Sequence, residues 1–203
     1  NGSLSIAGGT FTVASGDDGF HADDALTVLS GTIDITDSYE GIEGKTIEIS
    51  GGSIRLAASD DGLNAAGGND SNGSGGGRGR DSFAAQEGVY ILISGGDLHI
   101  DAGGDGIDSN GDLTVTGGTI YVDGPTNDGD GALDKNGTAL IHGGTLVAVG
   151  AAGMAETFDS ASTQGCILVN AASTQAAGTK VELFDASGSL IVSYTAAKPF
   201  RSV

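Results

Sequence analysis

A short pattern recurs along this chain: two alternating apolar residues, a glycine corner, then two more alternating apolar residues. It reads LSIAGGTFTV from Leu4, LTVLSGTIDI from Leu26, IEISGGSIRL from Ile47, ILISGGDLHI from Ile91 and LTVTGGTIYV from Leu113, with a weaker copy, ALIHGGTLVA, from Ala139. Within each half the period is two, so Leu4, Ile6, Phe11 and Val13 point one way while Ser5, Ala7, Thr10 and Thr12 point the other, as on a strand. No stretch long enough for a helix carries helical spacing. The glycine between the halves predicts a corner at positive φ, where a β-carbon would clash.

The second glycine of the corner falls at Gly9, Gly31, Gly52, Gly96, Gly118 and Gly144, in steps of 22, 21, 44, 22 and 26. A lone unit cannot bury its apolar side, but stacked units place Leu4, Leu26, Ile47, Ile91 and Leu113 in one aliphatic ladder. The predicted fold is therefore all-β, a right-handed parallel β-helix of about 22 residues per rung, in one domain over residues 1–203. Counting the step of 44 as two rungs, about nine rungs fit, a rod on the order of 40 Å long at strand spacing. An antiparallel barrel or sandwich would need hairpin signals between successive strands, which the regular glycine corners do not supply.

Two segments break the pattern. Residues 68–82, inside GGNDSNGSGGGRGR, are expected to form a flexible Gly-rich surface loop; they lack the Gly-Lys-Ser/Thr ending of a phosphate loop. Residues 179–203, with two alternating strands about Ala186, Ser187 and Gly188, are expected to form a hairpin capping the end of the solenoid.

Aligning the corners aligns a second motif, an acid followed by Gly, an apolar residue and a polar one. It occurs as Asp18-Gly19-Phe20-His21, Glu40-Gly41-Ile42-Glu43, Asp61-Gly62-Leu63-Asn64 and Asp105-Gly106-Ile107-Asp108, with a version one residue longer from Asp130 to Asp134. A degenerate copy near Ala84 keeps only its last acid, Glu87. Stacking would bring these acids about 4.8 Å apart, where two bare carboxylates repel by about 3 to 4 kcal/mol at an effective dielectric near 20. The carboxylates must turn into water, as good turn formers do on a solvated face, or share a cation. Calcium suits such turns, because it takes six to eight oxygens in flexible geometry. The expected ligands are Asp18, His21, Glu40, Glu43, Asp61, Asn64, Glu87, Asp105, Asp108, Asp130 and Asp134, holding several Ca2+ ions. Asp34, Asp37 and Asp123 are read as isolated solvated turn acids.

Charge narrows the partners. With 27 acidic and 8 basic residues the net charge is -19, which excludes a phosphate-binding face and hence nucleic acid. No apolar run is long enough to span a membrane. The first residues already belong to a repeat, so a mature domain whose targeting segment has been removed is expected; the expected state is a monomer. The three histidines lie on different parts of the rung, far from the sole cysteine, which disfavours zinc. Cys166, in the run CILV, is expected to fill core space as a small hydrophobe.

The segments SYEGIEGKTIEISGGSI, ASDDGLNAAGG, GGDGIDSNGDLTVTGGT, GPTNDGDGALDKNG and AAGMAETF resemble the bacterial carbohydrate-binding domain-containing protein family, which has a polysaccharide-lyase-like parallel β-helix. The resemblance implies a secreted or cell-surface protein, calcium, and a cell-wall polysaccharide partner, cellulose or an acidic pectin such as polygalacturonate. It also implies that Asp18, Glu40, Glu43, Asp61, Asn64, Asp105, Asp108 and Asp130 carry the acidic-turn roles. With no Trp and only Tyr39, Tyr90, Tyr121 and Tyr194, few platforms for sugar stacking exist, so a noncatalytic, calcium-dependent module is the first reading. A pectate-type lyase with Lys45 or Lys135 as base is the second, and a calcium-stabilised adhesin or surface stalk the third.

Overall fold

A computed structural model of the chain describes residues 2–66 and 84–203. The expected loop at 68–82 lies outside the described residues.

The alternating segments form strands that stack in parallel as a solenoid of about six coils. The first three coils comprise β1 (Leu4–Ala14), β2 (Phe20–Asp37), β3 (Ile42–Ile49), β4 (Ser53–Ala58) and β5 (Leu63–Ala65). The last three comprise β6 (Tyr90–Ile93), β7 (Asp97–Ala102), β8 (Ile107–Ser109), β9 (Asp112–Val115), β10 (Thr119–Asp123), β11 (Leu133–Lys135), β12 (Ala139–Ile141) and β13 (Thr145–Val149).

Each coil runs over three faces. The first carries Leu4, Leu26, Ile47, Ile91, Leu113 and Ala139 in register. The chain then turns at the glycine corner, where Gly31 has φ +121° and Gly52 φ +98°, values only glycine adopts without strain. The second face stacks Phe11, Ile33, Ile54, Leu98, Ile120 and Leu146. An acidic turn leads to the third, which stacks Phe20, Ile42, Leu63, Ile107 and Leu133. Leu26, Ile47, Ile54, Leu63, Ile91 and Leu113 are wholly buried, each contributing about 1.5 to 3 kcal/mol of transfer free energy.

The expected nine rungs are corrected to about six. The step of 44 is not two rungs: β5 pairs directly with β8, β3 with β6 and β4 with β7. The third and fourth coils are therefore direct neighbours. Five inter-coil spacings then give a body about 24 Å long rather than 40.

The C-terminal part has two antiparallel ribbons, β14 (Asn170–Gln175) with β17 (Phe200–Ser202), and β15 (Lys180–Phe184) with β16 (Leu190–Thr195). The β15–β16 turn follows the expected chemistry: Asp185 accepts from the Ser187 and Ser189 amides at 2.8 and 2.9 Å, and Gly188 has φ +84°. This hairpin docks on the second face. Tyr194 stacks on Tyr121 with ring centroids 4.6 Å apart, its hydroxyl donates to Asp123 at 2.5 Å, and Lys198 pairs with Asp101 at 2.7 Å. Asp123 is therefore no solvated turn acid; it is 5% exposed and also accepts from the Ala197 amide.

Between the last coil and this ribbon lies an apolar cavity of about 520 Å³, lined among others by Leu133, Ile141, Leu146, Phe158 and Ile167. Cys166 sits at its rim and is exposed, not a core residue as its apolar neighbours suggested, because the CILV run skirts the solenoid end instead of joining a ladder. The described residues include no helix, hence none long and apolar enough to cross a membrane.

Candidate metal centre

The acid-Gly turns stack one over another through backbone hydrogen bonds. The amides of Gly19, Gly41 and Gly62 donate to the carbonyls of Glu40, Asp61 and Asp105, each at 2.9 Å. Glycine follows the acid because nothing larger fits: a β-carbon on Gly19, Gly41, Gly62 or Gly106 would meet the carbonyl oxygen of the next turn at 2.4 to 2.6 Å. This close approach stacks Asp18, Glu40, Asp61 and Asp105 as successive turns of one column. Three residues on, strand register stacks His21, Glu43, Asn64, Asp108 and Asp134 in a second column.

Two expected ligands fall outside these columns. In the fifth coil Gly106 donates to the Gly131 carbonyl, so Gly131 takes the acid slot and Asp130 lies one residue before it. The extra residue in that turn is absorbed ahead of the slot, and Gly131 donates its amide to Asp105 Oδ1 at 2.5 Å. Glu87 is exposed in the turn before β6, because residues 66–89 put no strand on the third face among those described.

Six of the remaining nine side chains gather into two clusters, each with its ligand atoms within 4.8 Å of one another: Asp18, His21 and Glu43, and Asp61, Asp105 and Asp108; Glu40, Asn64 and Asp134 belong to neither. In the first, His21 Nδ1 lies 2.6 Å from Glu43 Oε2 and 3.3 Å from Asp18 Oδ2. Asp23, which the repeat did not single out, approaches His21 Nε2 at 3.5 Å. Glu40 and Asn64 lie between the clusters in the stacking order, where Asn64 opposes the upward shift of the Glu40 pKa.

Electrostatics mark the column as short of positive charge. Burial, reinforced by Asp108 and Asp105, pushes Asp61 up to about 9. Burial and the neighbouring Glu43 push Glu40 up to about 8. Burial lifts Glu43 to about 7, with Asp18 adding to the shift and His21 opposing it. Burial likewise lifts Asp105 to about 7, against the Gly131 amide and with the help of Asp134 and Asp130. Glu40 Oε2 and Asn64 Oδ1 are moreover buried without a hydrogen-bond partner, although Asn64 is only 7% exposed. Buried acceptors of this kind are costly unless something donates to them or coordinates them. A hard divalent cation, taking carboxylate, amide and carbonyl oxygens, fits this donor set.

A family model described as carbohydrate-binding domain-containing protein matches residues 2–189. No curated protein and no solved structure matches the chain.

Proposed function

The chain belongs to the carbohydrate-binding domain-containing protein family, and from that premise we propose a noncatalytic module that binds cell-wall polysaccharide and depends on calcium. The observation that carries the calcium part is the convergence of Asp18, His21 and Glu43, and of Asp61, Asp105 and Asp108, beside the unpartnered buried oxygens of Glu40 and Asn64. Asp18, Glu43, Asp61, Asp105 and Asp108 would hold the ions, with Glu40 and Asn64 supplying oxygens between the two clusters. Calcium there would neutralise the carboxylates and turn a repelling face into one that a sugar carboxylate can approach. An extracellular setting, where calcium modules work at 10⁻⁴ to 10⁻³ M, belongs to the same proposal, as does a monomeric state.

The lyase reading draws less support. A base must release its proton near neutral pH, whereas Lys135 is held at 2.7 Å from Glu156, and that hydrogen bond raises its pKa. Calorimetric titration with polygalacturonate and with cello-oligosaccharides, in calcium and in chelator, tests the proposal. Binding that needs calcium supports it; equal binding in chelator removes the metal dependence, and no binding of either refutes it.

A further inference from the structure

Two cavities suggest themselves as ligand sites, and their chemistry separates them. The larger, under the C-terminal ribbon, is walled mainly by aliphatic side chains and Phe158, which offer little to sugar hydroxyls. The smaller, of about 430 Å³, lies on the outer side of the first face, between the turn before β6 and the start of β9. Tyr90, Gln86, Glu87, Asp112 and Thr114 line it.

Three features make this pocket a built one. Tyr90 is fixed: its hydroxyl donates to Glu48 Oε1 at 2.5 Å, so the ring is held before any ligand arrives. Asp112, stacked directly above Tyr90 in the next coil, is held through Oδ1 by the Thr138 amide and hydroxyl at 2.8 and 2.7 Å, leaving Oδ2 as an acceptor. The wall formed by Gln86 and Glu87 is set by a tight turn, in which the Val89 amide donates to Gln86 O at 3.3 Å and Gly88 has φ +76°. That turn is tied to the fold because Gln86 N donates to Asn110 O at 2.8 Å.

An aromatic ring beside convergent carboxylate, amide and hydroxyl groups matches a sugar ring, which has an apolar face and hydroxyl donors around its edge. The carboxylates of Glu87 and Asp112 outnumber the nearby cation, the Lys45 ammonium beside Gly88, and set the charge preference: they accept from hydroxyls and repel a uronate. We infer that the Tyr90 pocket is a subsite for a neutral sugar unit of the polysaccharide, separate from the acidic turns. This inference rests on the carbohydrate-binding reading and assigns it a place and a charge class.

The test is calorimetric titration of the calcium-loaded protein with cellohexaose, xylohexaose and hexagalacturonate, for the wild type, Tyr90→Ala, Tyr90→Phe and Glu87→Ala. Binding of a neutral hexasaccharide should weaken about tenfold or more in Tyr90→Ala, where the stacking ring is lost, and several-fold in Glu87→Ala. Tyr90→Phe, which keeps the ring, should stay within about threefold of wild type. Glu87 is exposed, so its variant should melt as the wild type does and keeps the test valid if Tyr90→Ala folds poorly. Neutral binding unchanged in both Tyr90→Ala and Glu87→Ala overturns the pocket but leaves the family reading standing. Binding of hexagalacturonate alone overturns the neutral class, and binding of no polysaccharide overturns pocket and family reading together.

Discussion

His21 Nδ1 lies 2.6 Å from Glu43 Oε2, one coil away, a contact that requires a proton between the two atoms. A divalent ion entering that cluster favours the ionised form of Glu43, which is raised to about 7, so metal binding and proton release are coupled. Calcium titrations in two buffers of different ionisation enthalpy at pH 7 should show net proton release, reduced in Glu43→Gln. Zero release would place the metal elsewhere.

Without metal, stability should fall as pH rises. Glu43 and Asp105 titrate at about 7, Glu40 at about 8 and Asp61 at about 9 in the folded chain, all above the range of unfolded carboxyls near 4. Between those limits the folded state binds more protons than the unfolded one, so the stabilisation is complete below about pH 4 and is lost progressively up to about pH 9. Denaturation midpoints in chelator at pH 5, 7 and 9 should decrease in that order, and saturating calcium should flatten the trend. A metal-free protein that grows more stable toward pH 9 would contradict the buried-carboxylate picture.

Asp61→Asn separates repulsion from ligation. The amide oxygen still accepts from Asp105 N, as Oδ1 does at 2.7 Å, while the cost of keeping a buried carboxyl protonated near neutral pH disappears. Thermal unfolding in chelator should stay at or above the wild-type midpoint, and the upward shift produced by calcium should shrink. A variant that melts lower in chelator yet responds fully to calcium would exclude Asp61 as a ligand.

Gly41→Ala tests the stacking of the turns. Its β-carbon would sit 2.4 Å from the Gly62 carbonyl oxygen, whereas one on Gly16 meets nothing within 4 Å. Gly41→Ala should cost about 1 to 3 kcal/mol or more by urea denaturation, and Gly16→Ala should stay within about 0.5 kcal/mol of wild type. Equal effects would mean that the turns are spaced more widely.

Tyr194→Phe removes the hydroxyl donor of Asp123, which is 5% exposed. Leaving that buried acceptor short of a partner should cost about 1 to 3 kcal/mol. The loss should concentrate in the β15–β16 ribbon, seen as faster amide exchange there with the coils unchanged. Uniform acceleration across the coils would show that the ribbon is part of the solenoid's cooperative unit.

The first two faces and the glycine corners were legible in the chain because period-two alternation and the need for positive φ are local properties, whereas the short third face was read only as a turn. The acid-Gly turns were legible for a related reason: Gly19, Gly41 and Gly62 are required by close approach, and the same spacing brings the acids along. The coil count was not, because 44 is twice 22 and only strand pairing shows that Leu63 stacks on Ile107 without a rung between. The displacement of Asp130 by Gly131 escaped notice because a turn one residue longer can absorb the extra residue on either side of the slot. Burial of Asp123 depends on Tyr194, 71 residues on, a tertiary contact that no spacing announces. The grouping of six ligands into two clusters likewise follows from side-chain packing, not from register.

Thermal unfolding at pH 7.5 in calcium and in chelator bears most directly on the stacked acidic turns as cation cages. A solenoid held by ions between its coils melts substantially higher in millimolar calcium, and Asp61→Asn narrows that difference. The same melting temperature in calcium and in chelator would contradict it.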